Sequence, residues 1–138
     1  MGLMLVKRTK FGVYVPEDLL SDLNECMKAI GIKSKSKLIQ EALRLFITEH
    51  RWRTAGEAVG IIGVVYDHKR GHVDEELTDI QHQYLDIIIA TLHIHLDEKR
   101  CMLAIVVRGD TERLKSLLGN IHRIKGIMIA RPLLLDIK

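Results

Sequence analysis

The stretch Thr91–Cys101, TLHIHLDEKRC, decides how the rest of the chain is read. Its first six residues alternate in character, the period of a β-strand with two unlike faces. His93 and His95 point to one side, and Leu92, Ile94 and Leu96 to the other. Asp97–Arg100 breaks the pattern, and Met102–Arg108 resumes it, so a hairpin is predicted. The two histidines stand about 7 Å apart at Cα, close enough to converge on one ion. Cys101 opens the second strand, and its side depends on register. If it faces Leu96, the thiol falls on the leucine side; if it faces His95, across a five-residue loop, it joins the imidazoles. The residues alone leave both open, and a strand with two solvated imidazoles and a packed thiol is the plain alternative to a metal site.

Working outward, Ala58–His68 reads as a strand and Val73–Ala90 as a long helix. Gly109-Asp110 closes the hairpin, with Asp110 placed to cap a helix running to about Ile121. Gly126 precedes a last strand, Ile127–Leu135. The order β-α-β-β-α-β is the ferredoxin-like split unit.

The N-terminal third is different. Phe11, Val13 and Val15 alternate with Gly12 and Tyr14 in a short strand. Pro16-Glu17-Asp18 opens a helix that Gly31 stops, with Cys26 packed on its apolar stripe. Ser36 is the expected cap of a second helix running to about His50. This β-α-α unit is too small to close a core alone, so it is expected to dimerise by pairing its strand with a copy of itself. Arg51–Glu57 reads as a linker, with Trp52 an anchor against a neighbouring domain. The chain is therefore an α+β protein with two domains, residues 1–52 and 57–138.

Residues 1–53 hold ten Lys/Arg against six Asp/Glu, and residues 54–138 hold eleven against twelve, which together give the net +3. A basic N-terminal unit favours a polyanionic partner. A two-stranded ribbon fits the major groove of double-stranded DNA. Lys10, Gly12 and Tyr14 would then face the bases. Lys35, Ser36 and Lys37 would hold a phosphate at the start of the second helix. A ribbon that only dimerises is the alternative.

Apolar runs such as Ile87–Ala90 are far too short to span a bilayer, and the first residues lack the order of a signal peptide. Two cysteines, Cys26 and Cys101, suit a reducing cytoplasm. No glycine-rich phosphate loop or paired carboxylates appear, so no enzyme is expected.

If register allows, His93, His95 and Cys101 offer two nitrogens and a sulfur, which suit Ni, Cu or Zn rather than Mg or Ca. His82, on the preceding helix, is a candidate fourth ligand, either folded back or serving a neighbouring subunit; an exposed helix residue is the alternative. Asp67, His68 and His72 offer a weaker secondary site, with a polar turn as the alternative, and Tyr66 and Tyr84 read as packing or supporting groups.

Together the β-α-α unit, the split domain, Gln81-His82, Ala90–His95, Cys101 and Ile105–Asp110 resemble the nickel-responsive regulators, the NikR family, over nearly the whole chain. The resemblance implies a ribbon-helix-helix unit joined to an ACT-like domain. It implies a repressor that binds its operator when Ni(II) is bound, built as a homotetramer, a dimer of dimers. It implies a planar site with His93, His95 and Cys101 from one subunit and His82 from another, and a loop that turns Cys101 toward the metal. An ACT-like domain that takes a small organic effector, and a metal-storage protein, are the alternatives. The chain departs from the family at Lys10, Gly12 and Tyr14, where an Arg and two small hydroxyl residues are common. It departs again at Lys37, beside Glu41, where an interdomain cation site would want two carboxylates. An extra arm of about ten residues precedes the strand and could also touch DNA.

Overall fold

Pro16 ends an extended segment and its carbonyl accepts the Leu20 N–H at 2.9 Å, starting α1 (Glu17–Ile30) with two acids in the first turn. These details come from a computed structural model that describes residues 6–137. The expected arm therefore lies in part, residues 1–5, outside the described residues. Gly31 leaves α1 in the left-handed region, φ 74°, as a helix-ending glycine does. The second helix, α2, covers Lys35–Arg51, and its cap is Ser34 rather than Ser36. Ser34 Oγ accepts the Lys37 N–H at 3.2 Å, the spacing from a cap to the third helical residue. Ser36 therefore lies inside the first turn.

The chain divides into two compact units that part within α2, between Ala42 and Leu43. In the first, Met27 alone is buried among the described residues. Residues 11–15 carry no strand, since a lone ribbon strand has no partner within one chain. Cys26 is exposed, not packed, since no described residue of this chain covers it.

The second unit begins on the last part of α2 and a short 3₁₀ turn, Trp52–Thr54. It continues through β1 (Glu57–Asp67), α3 (Val73–Gln83), β2 (Ile88–His95), β3 (Arg100–Asp110), α4 (Thr111–Arg123) and β4 (Ile127–Asp136). The four strands form one antiparallel sheet in the order β2-β3-β1-β4. The expected β-α-β-β-α-β order holds, and the sheet is compatible with an ACT-like domain. Ile62, Val64 and Tyr66 of β1 and Leu103, Ile105 and Val107 of β3 pack with Leu77 of α3 and Leu114, Leu117 and Ile121 of α4. Trp52 joins this core as the anchor its sequence context suggests, and its carbonyl accepts the Thr111 hydroxyl at 3.2 Å. Asp110 caps α4 as expected, accepting from the Glu112 and Arg113 N–H groups.

α3 ends at Gln83, seven residues short of the expected Ala90. The Tyr84 carbonyl takes the N–H groups of Ile87 and Ile88, and β2 starts at once. Three consecutive isoleucines suit either helix or strand; Ile87 ends the turn after α3, Ile88 opens β2 opposite Val107, and Ile89 lies at a register shift before Ala90.

Within this unit one face of the sheet carries the helices and the other is uncovered by its described residues. On the bare face Ile61 is 42% exposed, Leu92 59%, Leu133 65% and Leu135 55%. Gly60 marks a close approach of β1 to β4, since a methyl group there would run into the Leu133 carbonyl oxygen.

Candidate metal centre

His95 pairs with Cys101 and His93 with Leu103 across β2 and β3. The hairpin loop is thus five residues, 96–100, and parity puts the thiol with the imidazoles. Cys101 also faces Tyr66 on its other side, because β3 lies between β2 and β1. The strand's polar side is the one that carries the helices, while Leu92 lies on the bare face. Cys101 is buried and both histidines are exposed, so the cluster opens at the edge of the sheet.

The distances are short. Cys101 Sγ lies 3.3 Å from His95 Nδ1, and the two imidazole centroids are 4.9 Å apart. One ligand atom from each of His93, His95 and Cys101 falls within 4.8 Å of the others. Among the described residues this is the one such group of His, Cys, Asp and Glu.

The bend that precedes Cys101 is tied at many points. Asp97 Oδ1 accepts the N–H groups of Lys99 at 2.9 Å and Arg100 at 2.7 Å, while Arg100 Nε donates to Oδ2 at 2.7 Å. These bonds hold the Asp97 carboxyl down at about 2, the Arg100 side chain being the largest cause. From the end of β1, the His68 N–H donates to the Lys99 carbonyl at 3.0 Å and its Nε2 to the Glu98 carbonyl at 2.6 Å.

Behind the imidazoles, the Tyr66 hydroxyl donates to Asp74 Oδ1 at 2.7 Å and stands 3.3 Å from His93 Nε2. Burial first, then the Asp74 carboxylate, pushes the Tyr66 hydroxyl well above the ordinary phenol range. Burial likewise raises the Cys101 thiol, helped by the charges of Asp74 and Asp97 and opposed by its contact with Tyr66. A metal would have to displace that proton to gain a thiolate.

The other expected residues fall elsewhere. His82 is exposed in the last turn of α3 and is not in the three-residue group. Asp67, His68 and His72 do not gather. Asp67 pairs with Lys99 at 3.6 Å, His68 is tied to the bend, and His72 pairs with Glu75 at 3.4 Å. Tyr84 is a packing group whose hydroxyl meets Ser116 and Asn120 at 2.6 Å each. In the N-terminal unit Lys10, Gly12, Tyr14, Lys35, Ser36 and Lys37 are all exposed, the last three in the first turn of α2. Sequence reasoning missed Asp74. An acid in a first helical turn looks like a partner for the helix dipole, and nothing local tells of the tyrosine eight residues earlier.

Comparison with known proteins agrees with this picture. Residues 59–134 match the family described as NikR C terminal nickel binding domain. A candidate nickel-responsive regulator of Dictyoglomus thermophilum is 42% identical over 124 residues, covering 89% of this chain and 92% of that protein. One from Dictyoglomus turgidum is 39% identical over 134 residues, covering 96% and 99%. One from Methanocaldococcus jannaschii is 38% identical over 125 residues, covering 89% of each. Among solved structures, an uncharacterized protein from Thermotoga maritima superposes with a TM-score of 0.50 at 18% identity, covering 56% of this chain and 98% of that one. That likeness shows the fold alone. The matched family and relatives are nickel-binding regulators, not enzymes. The chain belongs to the nickel-responsive regulator family, NikR.

Proposed function

We propose that this chain is a Ni(II)-responsive, DNA-binding transcriptional repressor. The observation that carries the proposal is the convergence of His93, His95 and Cys101 within 4.8 Å on two paired strands. Two imidazole nitrogens and a thiolate fit a borderline-soft divalent ion such as Ni(II) better than a hard one. His82 completes the set from a neighbouring subunit.

Residues 57–138 form the metal-binding and tetramerising domain, and residues 1–52 the DNA-binding ribbon-helix-helix. Two features support assembly. The first unit buries only Met27 among its described residues, so its helices need a partner to close a core. The bare sheet face is a broad apolar surface of the kind that marks an interface. In the dimer the strand at 11–15 pairs with its copy and presents Lys10, Gly12 and Tyr14 to the major groove. Lys35 and Lys37, with the free N–H groups of α2, hold a flanking phosphate. Metal and operator binding then strengthen each other by linkage.

The test is a gel-shift assay with the DNA upstream of the chain's own gene, with and without Ni(II). Binding that tightens with the metal is expected; equal binding in both conditions would sink the repressor. Sharing of the site has its own measurement. His82→Ala and Cys101→Ala chains are each expected to lack intact sites, and mixed tetramers to regain some of them. No recovery of Ni(II) binding after subunit exchange has been demonstrated would exclude a ligand from the neighbour.

A further inference from the structure

Asp74 opens α3 and Tyr66 lies near the end of β1, yet their side chains meet behind the sensing strand. The Tyr66 hydroxyl has one proton. It lies 2.7 Å from Asp74 Oδ1 and 3.3 Å from His93 Nε2. The Asp74 carboxylate has no proton to give, so it can only accept. The tyrosine proton therefore points at Asp74, and toward His93 the hydroxyl oxygen is left as an acceptor. His93 must answer with an N–H at Nε2. A neutral imidazole carries one ring proton, so its lone pair is then on Nδ1.

We infer that Asp74 and Tyr66 act as a relay that holds His93 in the Nε2–H tautomer and reserves Nδ1 for the metal. The inference rests on the metal-binding role proposed for His93. A ligating histidine commonly donates its second ring N–H to such a partner, which fixes the ring and raises its basicity. Here the partner is a tyrosine, and the carboxylate behind it decides which way the tyrosine's proton faces. His95 has a different surrounding: its Nδ1 is the atom beside Cys101 Sγ, at 3.3 Å. The two histidines, two residues apart, are thus held by different means. Tyr66 is buried, while Asp74 is exposed, so the relay reads a surface carboxylate into a site at the edge of the sheet. Both are positioning residues, acting through His93.

The experiment uses metal-free full-length protein labelled with ¹⁵N at histidine, with the His93 tautomer read from long-range ¹H–¹⁵N correlations. The wild type is expected to show Nε2–H, as an imidazole in water would also prefer, so the variants decide the matter. Asp74→Ala frees the tyrosine proton to turn toward His93, and the population is expected to move toward Nδ1–H. Asp74→Asn keeps an accepting oxygen and is expected to restore Nε2–H. In a Tyr66→Phe background Asp74→Ala should change nothing, since the link between them is gone. A tautomer that ignores Asp74→Ala, or responds equally without the tyrosine hydroxyl, overturns the relay. For Ni(II) itself, Tyr66→Phe is expected to weaken binding by roughly 10–100-fold. A wild type with the relay intact but no Ni(II) binding would refute the metal reading and leave the relay standing.

Discussion

Cys101→Ala is expected to abolish the thiolate-to-nickel absorption band and to weaken Ni(II) binding by more than the ~10–100-fold typical of losing a supporting partner. The thiolate is the softest donor of the three and the one that selects against hard cations. It is also the only one of them that is buried, so no water or nearby side chain takes its place readily. The fold should survive. Cys101 sits where the core meets the edge, and the change removes a single sulfur from a site bounded by Tyr66 and His95. The measurement is an equilibrium titration followed by absorption, with the thermal midpoint of the metal-free protein as the control for folding. A wild type that binds Ni(II) without the band, or a variant that keeps it, would remove Cys101 from the ligand set.

Gly60→Ala is expected to cost stability without touching the metal centre. The glycine lies in β1 opposite Leu134, and an added Cβ would stand 3.0 Å from both Leu133 C and Leu134 Cα, with the Leu133 oxygen nearer still. These are backbone atoms of a paired strand and cannot swing aside as a flexible side chain would. Relief requires β4 to move, and overpacking of this kind costs about 1–3 kcal/mol. For a domain this size the thermal midpoint should fall by on the order of 10 °C. Calorimetry of the metal-free protein checks it, and an unchanged midpoint would show that β4 yields freely.

The legible parts of the chain were those with one dominant pattern. Strict alternation in Thr91–Leu96 named a strand, and the Gly109-Asp110 pair named both a strand end and a helix cap. The α3–β2 boundary is not legible, because Ile87, Ile88 and Ile89 satisfy both periods, and only Ile88 of the three is paired with β3. Ser34 and Ser36 are chemically equal caps; a hydrogen bond to Lys37 separates them. The side on which Cys101 falls was set by loop length, which no single residue in Leu96–Arg100 declares. In the folded hairpin Asp97 ties the bend through the N–H groups of Lys99 and Arg100. Cys26 lay on an apolar stripe but is exposed, since a stripe shows what could be covered and not what covers it within one chain.

The sheet order has a consequence for how quickly a sensor could reset. Cys101 belongs to β3, which is bonded on both sides, whereas His93 and His95 belong to β2, which has a neighbour on one side only. Edge strands open locally at a fraction of the free energy of global unfolding. A bound ion would then be loosened by fraying of the outer strand, with the Cys101 thiolate outlasting the two imidazoles of β2. The lifetime of the loaded state would follow the opening rate of eight residues, while the rest of the domain stays folded and ready for the next ion.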